Sequence, residues 1–183
     1  ILLSALTVPM ALAAIPGGWL SDRIGYRLTT MIGLGLALIG FVLIWQTWVL
    51  DVADGLIAVE MALVGIGLGL TFSPISASVI NAADQDKLGV ASALVIIMRL
   101  LGMTVSVSVL TAFASQRLAL LASAELGGTV VDPYAAIDVY ARLTVKVLTE
   151  IGLLGALICA VALIPAFLLR RTAVGEAEAV AGD

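Results

Sequence analysis

The residues that could do chemistry in this chain are few and stand beside long apolar runs. Segment 17–27, GGWLSDRIGYR, holds Asp22, Arg23 and Arg27. We expect Asp22 just before a helix, where a carboxylate meets unpaired N–H groups and the positive dipole end. A carboxylate held by a dipole and an arginine forms a latch of about 1–3 kcal/mol, enough to bias a two-state element. We therefore predict that Asp22 with Arg23 latches one conformation.

Arg99 is a charge inside an apolar run. It lies about eleven residues into that run, roughly 16 Å deep at 1.5 Å per residue. An unpaired arginine there costs about 2.5 kcal/mol or much more, so it must face protein or water. Ser92, Gly102 and Ser106 share its helical face, as small polar residues lining a cavity would. Two interpretations stay open. Arg99 lines the translocation path or holds a carboxylate of the missing half of the protein, or it forms a structural pair whose charged end extends toward the cytoplasm.

Four further residues are candidates. Glu60 and Glu150 are each predicted at the outer start of a helix, where a carboxylate suits the dipole. Their alternative role is the uptake of protons or cations. Ser73 and Pro74 can interrupt a helix and expose carbonyl groups, so we expect a hinge there or a contact with substrate.

Several classes of function are excluded by composition. The chain has no His and a single Cys, Cys159, so a Cys/His metal site, an internal disulfide and a Ser or Cys nucleophile with a His partner are excluded. The net charge of −4 argues against nucleic acid as a partner. We expect no catalytic residue, no metal and no cofactor, and hence no enzyme.

The elements that carry these residues are long apolar segments. The chain is 62% hydrophobic and 12% charged, whereas soluble domains are about 45–50% apolar and about 25% charged. We therefore expect the chain to be surrounded by lipid. Backbone groups in lipid must bond internally, which predicts helices. The predicted fold is an all-α, polytopic transmembrane bundle with spans at about 1–20, 28–50, 57–80, 88–114 and 147–169.

Lys and Arg set the expected orientation. Loops 21–27 and 81–87 and the polar tail 170–183 are assigned to the cytoplasm, and loop 115–146 to the outside. Trp45 and Trp48 fit an outer aromatic belt. Asp132 and Pro133 predict the start of a short interfacial helix, with a plain connecting loop as the alternative.

Segment 17–27 resembles the loop signature of the major facilitator superfamily, G-x-L-[AS]-D-R-x-G-[RK]-[RK]. Tyr26 departs from that signature, standing where a basic residue is usual. GIGLGLTFSP at 65–74, GVASA at 89–93 and RLLG at 99–102 are similar to the fourteen-span drug:proton antiporters, although Met103 and Ser106 stand where glycine is frequent. The matching signature residues are Gly18, Leu20, Ser21, Asp22, Arg23, Gly25 and Arg27.

The resemblance implies the second half of a secondary active transporter in the plasma or inner membrane. It would export drugs or lipophilic or cationic compounds in exchange for protons, by alternating access. Its partners would be membrane lipid, a small-molecule substrate, protons and the missing N-terminal half, without which we expect no activity. The alternatives are an uptake or metabolite-export carrier of the same superfamily and a non-transporting scaffold or sensor.

Overall fold

The described part of the chain forms a bundle of five long helices. The computed structural model describes residues 2–48, 52–126 and 133–168. The helices are α1 (Leu2–Ile24), α2 (Tyr26–Thr47), α3 (Asp54–Asn81), α4 (Leu88–Leu126) and α5 (Pro133–Leu168), with one 3-10 turn at Gln85–Lys87. All five are long and apolar enough to cross a membrane, and no strand occurs in the described ranges. The predicted all-α transmembrane bundle is confirmed.

Contacts between α2 and α3 show that these two helices are antiparallel. Asn81, at the end of α3, donates a hydrogen bond to the Tyr26 hydroxyl at the start of α2. At the other end of the same two helices, Thr47 contacts Glu60. We call the end with Arg23, Arg27 and Lys87 the basic end and the end with Thr47 and Glu60 the distal end.

Glycines bring α3 against its two neighbours. A Cβ added at Gly65 or Gly69 would collide with the carbonyl oxygens of Leu6 and Met10 on α1. A Cβ added at Gly67 would collide with the backbone of α2, which itself carries Gly33 at the contact. Small residues permit such backbone contact between helices in lipid, so α3 forms the centre of the bundle.

The helices α1, α4 and α5 are longer than predicted. The first span was expected to end at Leu20, but α1 continues through Pro16 to Ile24. The predicted loop 115–146 is wrong as a loop, because residues 115–126 belong to α4 and 133–146 to α5. Residues 103–126 contain no Gly or Pro that would end a helix.

This length carries α4 and α5 beyond a bilayer. α4 has 39 residues and α5 has 36, or about 58 and 54 Å at 1.5 Å per residue, against a hydrocarbon core of roughly 30 Å. The predicted short helix after Pro133 is therefore the first part of α5. Asp132, its expected cap, and the tail 170–183 lie outside the described residues.

Candidate functional site

A cleft between α3 and α4 borders Arg99, one of the predicted site residues. Its volume is about 410 Å³. Among the described side chains that line it, Arg99 is the one charged residue, and Thr71 adds a hydroxyl. The other lining residues are Leu68, Phe72, Ile75, Val79, Leu94, Val95 and Met98. The cleft therefore offers hydrocarbon walls with a single cation at its edge.

The guanidinium of Arg99 lies against α3. Its Nη2 donates to Ser76 Oγ at 2.9 Å, and its central carbon lies 4.9 Å from the centre of the Phe72 ring. Within the described ranges Arg99 forms no ion pair. Phe72 and Ser76 were not predicted as site residues, although they are four residues apart and thus share a helical face.

The other predicted path residues lie away from this cleft. Ser92 donates to the Leu88 carbonyl of its own helix at 2.9 Å, and Ser106 is exposed. Ser73 faces α1, because a Cβ added at Gly18 would be 3.1 Å from its Oγ. Pro74 is fully buried inside α3. The structure thus brings Arg99 alone of the five to the cleft.

The signature segment forms a tight turn at the basic end. Gly25 separates α1 from α2 and has φ 87°, a conformation that glycine adopts without strain. Arg23 stacks on Trp19 of its own helix at 4.1 Å from the ring centre. Arg27 stacks on Phe167 of α5 at 3.8 Å. The two arginines therefore hold aromatic rings rather than a carboxylate of the described chain.

Asp22 is not placed as predicted. It lies inside the last turn of α1 rather than before α2, because α1 runs to Ile24. Gly25 takes the N-cap position of α2 without a side-chain hydrogen bond. The Asp22 carboxylate is exposed and forms no ion pair with any described residue. Its neighbour Ser21 is buried and donates to the Gly18 carbonyl at 2.6 Å.

Glu60 is buried near the distal end. Glu60 is only 3% exposed. It lies in the second turn of α3, whereas the acidic residue of the first turn is Asp54. The prediction that it begins a helix is therefore wrong. Thr47 Oγ1 lies 2.5 Å from Glu60 Oε1, and Trp48 Nε1 donates to Oε2 at 2.8 Å. Glu60 thus joins α3 to the end of α2.

Glu150 binds an arginine across two helices. Arg117 of α4 donates to both of its carboxylate oxygens, at 2.7 and 2.9 Å. Glu150 stands in the middle of α5 and not at its start, because α5 begins at Pro133. This bidentate pair fixes α4 beside α5. No group of three potential Cys, Asp or Glu metal ligands occurs among the described residues.

Curated relatives share sequence with much of this chain. A triacylglyceride transporter of Mycolicibacterium smegmatis is 38% identical over 140 residues, covering 69% of this chain and 25% of the relative. One of Mycolicibacterium hassiacum is 32% identical over 126 residues, covering 63% of this chain and 23% of the relative. A probable triacylglyceride transporter of Mycobacterium leprae is 29% identical over 171 residues, covering 84% of this chain and 33% of the relative.

The chain thus spans between about a quarter and a third of these relatives. It matches no protein-family model. The relatives' names refer to transport of a neutral lipid, so likeness to the drug:proton antiporter branch stays a prediction.

Proposed function

We propose that the complete protein is a secondary active transporter that exports lipophilic molecules by alternating access. Its five described helices would form part of the C-terminal half. The protein would lie in the plasma or inner membrane, with the basic end facing the cytoplasm. The relatives named as transporters and the five apolar helices support this proposal. Proton coupling rests on the resemblance of segment 17–27 to the major facilitator superfamily.

The α3–α4 cleft carries the proposal for the substrate class. Its walls are hydrocarbon, so an acyl chain that enters from the bilayer would meet surroundings as apolar as the lipid it leaves. Arg99 is its one charged residue and is a cation. A cationic drug would be repelled at that edge, which favours neutral lipids of the triacylglyceride class.

The test is transport by the complete protein in proteoliposomes with an imposed pH gradient. A fluorescent triacylglyceride and ethidium are compared as substrates. We expect flux of the lipid and none of ethidium, and we expect Ile75→Trp to reduce that flux by filling the cleft. Ile39→Trp is the matched control, because Ile39 is exposed on α2 and does not line the cleft.

Three results would overturn parts of this proposal. Flux of ethidium without the lipid would favour a drug antiporter. Equal flux in Ile75→Trp and Ile39→Trp would remove the cleft from the substrate path. A complete, correctly inserted protein that moves neither probe nor any other solute would be a scaffold or sensor.

A further inference from the structure

The contacts of Glu60 indicate where the hydrogen atoms lie around its buried carboxyl group. Thr47 Oγ1 lies 2.5 Å from Glu60 Oε1 and 2.8 Å from the carbonyl oxygen of Leu43. Both distances are those of O–H···O hydrogen bonds. Thr47 therefore has two oxygen partners at hydrogen-bond distance.

A threonine hydroxyl has only one hydrogen to donate. If Glu60 were ionised, both of its oxygens and the Leu43 carbonyl would be acceptors. One of the two short contacts of Thr47 would then have no hydrogen between its oxygens, and the lone pairs would repel each other. The arrangement thus lacks one hydrogen.

We propose that Glu60 is a proton-binding site and carries its proton on Oε1 in this conformation. The neutral acid then donates to Thr47 Oγ1, and Thr47 donates to the Leu43 carbonyl. The second oxygen, Oε2, accepts from Trp48 Nε1, 2.8 Å away. Every polar atom in this chain of contacts has a partner, which is what a buried polar network requires.

The surroundings favour the neutral form. An ionised carboxylate is costly to bury without a cation, and Glu60 has no ion pair among the described residues. On α1 and α2 the charges are Asp22, Arg23 and Arg27, all at the basic end. The remaining charges on α3 itself and on α4 are Asp54, Arg99, Arg117 and Glu125. None of these residues makes a hydrogen bond or ion pair with Glu60 in the described part of the chain.

The contact of Glu60 with Thr47 lies close to the surface of the described chain. Thr47 and Trp48 are half-buried at the distal end of α2, and Thr47 would be the first group to exchange a proton with Glu60. Loss of the proton would leave Thr47 to bond either Glu60 or Leu43. Protonation of Glu60 would therefore change how the end of α2 is held against α3.

The experiment is labelling of the complete protein in membranes at pH 7 with dicyclohexylcarbodiimide. The protonated carboxyl adds its O–H across a C=N bond of this apolar reagent, whereas a carboxylate does not react. Peptide mass spectrometry locates the product. Because only a protonated carboxyl reacts, labelling of Glu60 well above that of Glu150 is the expected result. Glu150, bound to Arg117, is the internal control.

Variants separate protonation from access of the reagent. Thr47→Val removes the acceptor of the Glu60 proton and should shift the infrared band of the protonated carboxyl, whereas Thr47→Ser should leave the band in place. The infrared band of a protonated carboxyl should be weaker in Glu60→Gln than in the wild type and in Glu150→Gln. A band unchanged by Glu60→Gln would overturn the proposal, whatever the labelling shows. Neither measurement depends on the transported substrate, so failure of the proposed function would leave this inference testable.

Discussion

The two sides of α3 are built differently. Toward α1 and α2, Gly65, Gly67 and Gly69 are buried and bring helix backbones into contact. Toward α4, side chains such as Ile75 and Val79 are exposed and border the cleft. On α4 itself, Ala122 is the one buried residue among the described side chains.

The two sides of α3 suit different roles, one structural and one functional. Interlocked backbones cannot slide without collision, since packed interiors resist small displacements. We therefore expect α1, α2 and α3 to move as one body. The side facing α4 has the volume to accept a ligand or to change its packing. In a protein that works by alternating access, substrate would bind on the side of α3 that faces α4. The packing of α3 against α1 and α2 would keep these three helices in a fixed arrangement.

The first prediction, with the largest expected effect on stability, concerns Gly67. In Gly67→Ala the new Cβ meets the Ala37 backbone and the Gly33 carbonyl, 2.6 Å away. Overpacking of this kind costs about 1–3 kcal/mol. The complete protein should lose thermal stability in detergent, measured by the unfolding midpoint.

Gly102→Ala is the matched control on α4. A Cβ there meets no atom within 4 Å, and alanine favours a helix over glycine by about 1 kcal/mol. Its unfolding midpoint should be unchanged or higher. Equal losses in the two variants would show that the two sides of α3 are not packed differently in the complete protein.

The second prediction concerns Arg99, at the edge of the cleft. Arg99→Leu loses the hydrogen bond to Ser76 and the stacking on Phe72, each typically about 0.5–1 kcal/mol at exposed positions. The two losses sum to about 1–2 kcal/mol, and leucine relieves the cost of an arginine without an ion pair in an apolar span, about 2.5 kcal/mol. We therefore expect a net change in stability of about 1 kcal/mol at most and a clear loss of transport. Arg99→Lys keeps the charge and should transport at an intermediate rate. Normal transport by a stable Arg99→Leu variant would leave Arg99 a structural role or none.

Sequence predicts the fold well and the site only in part. Apolar length and the need to satisfy backbone groups in lipid are local properties, so the number of helices could be read from composition. The helical extensions of α4 and α5 were missed because polar residues such as Arg117 and Arg142 end an apolar run without ending a helix. Gly or Pro would favour an end, and residues 103–126 contain neither.

The site depends on pairs that are distant in sequence. Arg99 with Ser76, Glu150 with Arg117 and Glu60 with the end of α2 require the packing angle of two helices. A single chain carries no local signal for that angle. The charged members could be found from their rarity in apolar segments, whereas Ser76 and Thr47 resemble any other helical hydroxyl residues.

The last prediction, with the smallest expected effect on stability, concerns Asp22 at the end of α1, which packs on the glycine-lined side of α3. Its carboxylate is exposed and has no ion-pair partner in the described chain, so Asp22→Asn should change stability by no more than about 0.5 kcal/mol. We still expect efflux by the complete protein to collapse, because the latch predicted for Asp22 and Arg23 would close against the remainder of the protein. The measurement is flux together with membrane insertion and the unfolding midpoint. Undiminished flux in Asp22→Asn would exclude the latch, whereas lost flux at unchanged stability would place the moving contact at the end of the rigid body formed by α1, α2 and α3.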